Sequence, residues 1–190
     1  MNLDDIQKYV NEQIRAAQSG SIHMEIARIL ELAKTIIQSW NNGGKLAIVG
    51  NGGSAAEAMH IAAEFTGKCI RDHRPLPALC LNESQSSITA VGNDYGFEFV
   101  FARQIRALLN SKDILICLST SGKSLNIVKA IEEARDIGVD TYLWTGKKAI
   151  EYSGTTVWNS INESTPRIQE EHLLWGHLLS EIIELSLIDG

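Results

Sequence analysis

Between Gly50 and Glu64 the chain reads Gly-Asn-Gly-Gly-Ser-Ala-Ala-Glu-Ala-Met-His-Ile-Ala-Ala-Glu, a glycine-rich turn running straight into an alanine-rich helix. Those residue types suit two kinds of chemistry. The glycines let the backbone approach a ligand closely, and the unpaired N–H groups of the first helical turn point at whatever sits there, which favours a phosphate. On the same helix His60 and Glu64 are four residues apart, so both project from one face toward a common small molecule or metal ion. A second anion signature, Ser119-Thr120-Ser121-Gly122-Lys123-Ser124, follows an apolar strand-like run and precedes another helix. Ligands of open parallel sheets bind at the carboxyl ends of the strands, so the two turns are expected to converge on one phosphate. Either turn alone is weak evidence, since serine at a helix start commonly serves as an N-cap.

Two competing motifs fail on spacing. Gly122-Lys123-Ser124 resembles the end of a nucleotide-binding P-loop, but that pattern needs a glycine where Cys117 stands. Gly50-x-Gly52-x-x-Ala55 satisfies a loose dinucleotide fingerprint, yet no acidic residue is clearly placed at the end of a second strand, where Glu83 comes late. Further titratable and amide side chains gather near the carboxyl end of the chain. Gln169 and His177 lie eight residues apart on one helical run, with Glu170, Glu171 and His172 beside them, and periodicity does not choose among the five.

The elements that must position these groups follow from hydrophobic periodicity. Helical patterns are expected over roughly 3–18 and 22–40, the second closed by Asn41-Asn42-Gly43-Gly44. Strands are then expected near 46–49, 78–81, 114–118 and 141–144, with a short fifth near 155–158, separated by helical runs around 54–66, 96–109 and 124–137 and followed by a terminal helix over 165–188. That alternation predicts an α/β three-layer sandwich with a five-stranded parallel sheet, preceded by an N-terminal helical pair. The pair precedes the first strand and adds nothing to the sheet, so its apolar stripe either caps the core or is buried by self-association.

The 190 residues suit one domain, read over 1–190, with 1–40 as the oligomerisation helices. The net charge of −6 and the scattering of 17 basic residues argue against a nucleic-acid or membrane-surface partner. Cys69, Cys80 and Cys117 form no C-x-x-C pair and read as free thiols of a reducing compartment. An acidic start and the lack of a long apolar run add to the expectation of a cytoplasmic protein.

Several segments together carry a family resemblance: Asn51-Gly52-Gly53-Ser54, Ala58-Met59-His60, Ala63-Glu64-Phe65-Thr66-Gly67, Arg74-Pro75-Leu76-Pro77, Val91-Gly92-Asn93-Asp94, Ser119-Thr120-Ser121-Gly122 and Thr165-Pro166-Arg167-Ile168-Gln169-Glu170. In this order and spacing they resemble the phosphoheptose isomerases of the sugar-isomerase (SIS) fold, over nearly the whole chain. The resemblance implies isomerisation of sedoheptulose 7-phosphate to D-glycero-D-manno-heptose 7-phosphate, for ADP- or GDP-heptose-type biosynthesis. It implies that Ser54, Ser119, Thr120, Ser121 and Ser124 hold the sugar phosphate, while Asn51, Gly52, Gly53, Asn93 and Asp94 contact the sugar chain, with Gln169 and Glu64 also at the substrate. Glu64 matches the family's catalytic carboxylate and His177 its catalytic histidine. One Zn2+ per subunit is implied on His60, Glu64, Gln169 and His177, in a homotetramer with sites at subunit contacts. Relatives of the fold that act as sugar-phosphate sensors or replication-initiator-binding scaffolds offer a non-catalytic alternative, but a binding module has no need of Glu64, Gln169 and His177 together. An isomerase for a pentose or hexose phosphate is a further alternative. The chain departs from the family pattern at Trp144-Thr145-Gly146-Lys147-Lys148-Ala149, where a glycine pair is missing, in a loop expected to border the site.

Overall fold

The computed structural model describes residues 8, 10–12, 14, 15, 18, 26–147 and 151–188, the last without its side chain. Within the first expected helix every described residue is helical, and the remaining positions of 3–18 and positions 22–25 lie outside the described residues. Helix α1 (Ile26–Asn41) repeats Ile29, Leu32, Ala33, Ile36 and Trp40 along one buried face. The chain then alternates through β1 (Leu46–Gly50), α2 (Gly53–Thr66), β2 (Ala78–Cys80), α3 (Gln85–Asp94), a 3₁₀ turn at Phe97–Phe99 and α4 (Ala102–Leu108). It continues with β3 (Ile114–Ser119), α5 (Leu125–Asp136), β4 (Asp140–Thr145), β5 (Thr155–Asn159) and α6 (Thr165–Ile188).

All five strands are parallel, in the order β2-β1-β3-β4-β5. The order reverses direction between β1 and β3, which opens a crevice at the carboxyl ends of those two strands. β1 and β3 are buried along their whole length because helices cover both faces. Alternation assigns their side chains: Leu46, Ile48, Ile114, Ile116 and Leu118 pack toward α1, α2 and α6, whereas Ala47, Val49, Leu115 and Cys117 pack toward α4 and α5. The three-layer α/β architecture therefore stands as expected.

Two elements differ from expectation. The segment 96–109 is not one helix. Gly96, at φ +104, begins the 3₁₀ turn, and α4 starts only at Ala102. Upstream, α3 was not anticipated, because Gln85-Ser86-Ser87-Ile88-Thr89 is weakly helix-forming and the element buries no residue fully. Ser84 supplies the missing start signal, its hydroxyl accepting from the Ser87 N–H.

Helices α2 and α6 run in the same direction and touch closely. Gly53 faces Gln169, and Ile61 faces Gly176, where an added methyl would lie 2.5 Å from the isoleucine carbons. This seam carries most of the candidate site.

Candidate active site at the α2–α6 seam

The first anion turn is built by glycines. Gly52 has φ +55, and a Cβ at Gly50 would fall 2.3 Å from the Ser54 carbonyl oxygen. The turn ends with Ser54 buried, its Oγ accepting a 3.3 Å hydrogen bond from Gln169 Nε2. No side chain caps α2, so its leading amides remain available to an anion. Asn51 links the two turns: its amide exchanges two 2.8 Å hydrogen bonds with Asn126 at the start of α5. Asn82 performs a comparable service one strand over, accepting from Gly50 N and donating to Gly50 O.

The second turn folds on itself in the same crevice. Ser119 is buried, Thr120 and Ser124 are half-buried and Ser121 is exposed. Gly122, at φ +65, donates its N–H to both the carbonyl and the hydroxyl of Ser119. Tyr152 donates to the Gly122 carbonyl at 2.6 Å, and Gly146 N donates to Thr120 O. A cavity of about 380 Å³ opens beside Thr120 and Ser121, lined also by Lys123, Gly146, Lys147, Glu163, Thr165 and Ile168. The expectation that the 144–149 loop borders the site holds for Gly146 and Lys147, while 148 and 149 lie outside the described residues.

Roughly two to three turns beyond Ser54, the seam brings His60, Glu64 and His177 together. The two Nε2 atoms are 2.9 Å apart with the rings nearly perpendicular, and Glu64 Oε1 is 3.2 Å from His60 Nε2. Either one ring donates to the other, or both lone pairs face a common cation. The three donor atoms lie within 4.8 Å of one another. Tetrahedral zinc with bonds of about 2.0–2.1 Å sets its ligand atoms roughly 3.3 Å apart, so these residues fit such an ion in donor type and spacing. Gln169 lies two turns nearer the start of α6, roughly 12 Å along the axis, and its amide engages Ser54.

The structure also separates the five candidates of α6. His172 is fully buried against Trp144 and Trp175, where burial pushes its pKa down to about 4 despite a contribution from the Thr145 backbone, leaving it neutral. Glu171 is held by Ser160 and Asn162, and Glu170 pairs with Arg167 at the surface. Gln169 and His177 remain, facing α2. Asn93 and Asp94 end α3, exposed, with Asn93 donating to Asp94 at 2.7 Å. Among the described residues neither makes a hydrogen bond or ion pair to the serine turns or to the His60 cluster.

Sequence reasoning missed Asn82, Asn126 and Glu57. The first two follow the end of a strand or a serine turn, a position at which an amide can complete exposed backbone groups. Glu57 is buried one turn after Ser54, with neither carboxylate oxygen meeting a hydrogen-bond partner.

Comparison with known proteins converges on one family. The SIS domain family model matches residues 8–146. A phosphoheptose isomerase of Thermodesulfovibrio yellowstonii is 42% identical over 192 residues, covering 98% of this chain and 93% of that protein. A solved phosphoheptose isomerase from Francisella tularensis superposes with a TM-score of 0.88 at 34% identity, covering 97% of this chain and all of that one. Another from Neisseria gonorrhoeae gives 0.84 at 35% identity over 96% and 98%.

Proposed function

This chain belongs to the phosphoheptose isomerase family of SIS-domain proteins, and from that premise we propose that Glu64 and His177 carry the proton transfers of its isomerase reaction. The protein is an aldose–ketose isomerase that converts D-sedoheptulose 7-phosphate to D-glycero-D-manno-heptose 7-phosphate for heptose biosynthesis. The observation that carries the assignment of roles is the convergence of His60, Glu64 and His177 beside two anion turns at the sheet's reversal point.

The phosphate is assigned to the Gly52–Ser54 turn and to Ser119, Thr120, Ser121 and Ser124, whose hydroxyls and leading amides supply donors. Holding that remote group helps bring the reacting carbons into register, so phosphate binding contributes to kcat/KM. Glu64 takes the proton from the carbon beside the ketone, giving an enediol(ate), and returns it to the former carbonyl carbon. His177 moves the hydroxyl proton between the two oxygens, a role suited to an imidazole, whose ring nitrogens can both accept and donate a proton. Bound by His60, Glu64, His177 and a reoriented Gln169, a zinc ion would polarise the carbonyl as a Lewis acid. The other sugar contacts are assigned to Asn51, Gly52, Gly53, Asn93 and Asp94. Since Asn93 and Asp94 make no hydrogen bond or ion pair to the turns of their own chain among the described residues, their part in the site is assigned across a subunit contact.

We assign a homotetramer, with 1–190 as one SIS domain and 1–40 contributing to assembly. Exposed Val10, Ile14, Ile26 and Leu30 favour this, since apolar side chains at helical spacing call for a partner surface. Sedimentation at equilibrium should give four times the chain mass; a monomer would remove the assembly. A cytoplasmic location agrees with three cysteines outside any disulfide, and no helix among the described residues is long and apolar enough to cross a membrane. The decisive assay is conversion of sedoheptulose 7-phosphate beside pentose and hexose phosphates, with and without chelator. Preferential turnover of the heptulose, lost on metal removal and restored by Zn2+, is expected; undiminished turnover in metal-free protein would remove zinc from the reaction.

A further inference from the structure

Four acidic side chains are buried among the described residues: Glu57, Asp113, Glu171 and Glu184. Three of them are accounted for by their partners. Asp113 accepts from Lys45 and Asn110, Glu171 from Ser160 and Asn162, and Glu184 from the backbone of Cys69, Ile70 and Arg71. Glu57 is 9% exposed and neither of its oxygens meets a hydrogen-bond partner. A buried polar group left this way costs free energy, so in a native structure it calls for an explanation.

Its place on α2 supplies one. Glu57 follows Ser54 by three residues and shares its face, and His60 comes one turn later. Gly53 and Ser54 meet Gln169 before it and Ile61 meets Gly176 after it, so Glu57 lies along the seam between the anion turn and the His60 cluster. The Ser54 oxygen already accepts from Gln169, which leaves the serine proton free to turn toward one further acceptor. Burial pushes the Glu57 carboxyl up to about 7, and the Ser54 hydroxyl three residues before it draws it part of the way back, although no hydrogen bond joins the two as they stand.

We propose that Glu57 is a positioning residue: its carboxyl sets the direction of the Ser54 hydroxyl, and thereby the strength with which the Gly52–Ser54 turn holds the substrate's phosphate. The inference rests on the assignment of Ser54 to the phosphate in the isomerase reading. Glu57 touches no reacting atom. Its influence passes through one hydroxyl, so it acts on binding and leaves the proton transfers at Glu64 and His177 alone.

The test is a double-mutant cycle in the full chain, read by steady-state kinetics and by calorimetric titration with inorganic phosphate. Glu57→Leu keeps the volume but removes both oxygens, and should raise KM and weaken phosphate binding about tenfold with kcat within about twofold, the effect of one hydrogen bond. Glu57→Gln retains an acceptor and a donor beside Ser54 and should restore most of the affinity. In a Ser54→Ala background Glu57→Leu should have no further effect. The proposal is overturned if Glu57→Leu leaves KM and phosphate affinity unchanged, if kcat falls at constant KM, or if its effect persists undiminished without the serine hydroxyl. Thermal melts of Glu57→Gln and Glu57→Leu identify a loss due to unfolding. Phosphate titration does not depend on which sugar is turned over. Wild-type protein that binds phosphate but isomerises no sugar phosphate would count against the functional reading while leaving this test standing.

Discussion

The two ends of the α2–α6 seam treat a buried glutamate in opposite ways. At the leading end Glu57 is enclosed without partners, and burial raises its pKa to about 7. At the trailing end Glu184 is just as enclosed, and burial alone would raise it too. The N–H groups of Arg71, Cys69 and Ile70 outweigh that effect, with His73 assisting, and hold the carboxyl below the usual range. The trailing carboxylate is thus a clamp that fastens the loop after α2 onto α6. The leading one has no such set of donors around it. Of these two carboxyls, the unsatisfied one lies beside the candidate site and the satisfied one anchors a loop.

The contrast can be broken most forcefully at Glu64, between the two ends. Glu64→Gln should lower kcat by about 10²–10⁴-fold, the range for a positioned acid–base group, while sugar-phosphate binding and the melting temperature stay near wild type. Appreciable residual turnover would remove Glu64 as the base. Glu184→Ala should act the other way round, leaving three backbone N–H groups unpaired and costing about 2–3 kcal/mol of stability in denaturant titration, with the chemistry retained. If kcat collapsed while stability held, the clamp would belong to the active site after all.

The smallest effect sharpens the comparison by its sign. Glu57 has a folded pKa above its unfolded value, so the folded state binds more protons between about 4.5 and 7, and stability falls as pH rises through that window. Glu184 has a folded pKa below its unfolded value, so its contribution is present above the ordinary carboxylate range and is lost as pH falls through it. Melting curves of wild type, Glu57→Gln and Glu184→Gln should therefore diverge at opposite ends of the scale. Glu57→Gln should gain on wild type at about pH 8 but not at about pH 4, whereas the deficit of Glu184→Gln should close in acid. Parallel curves at all pH values would erase the distinction.

How far the sequence carried this picture depended on how local each signal was. The strands 46–49 and 114–118 are short apolar runs bounded by turns, and the turns that end them contain the residues proposed to hold the phosphate. Such signals survive without knowledge of the fold. His60 and Glu64 were legible because helical spacing alone places them together. The α6 candidates were not, since choosing Gln169 and His177 over Glu170, Glu171 and His172 required knowing which side of that helix meets α2 and which meets Trp144 and Trp175. Glu57 lies seven residues before Glu64 and so occupies the same face by periodicity. Only packing distinguishes the enclosed carboxyl from the accessible one. α3 escaped because it buries nothing fully, and burial is what periodicity detects.

The indole cluster gives this molecule a built-in optical reporter. Trp144 and Trp158 stack at 5.4 Å and Trp175 meets both edge-on, so three of the four tryptophans share one environment, with Trp40 apart from it on α1. Trp144 lies two residues before Gly146 at the rim of the serine-turn cavity, and the imidazole of His172 rests against Trp144 and Trp175. A ligand that shifts Gly146 is therefore expected to change intrinsic emission, which a fluorescence titration of the unlabelled protein checks.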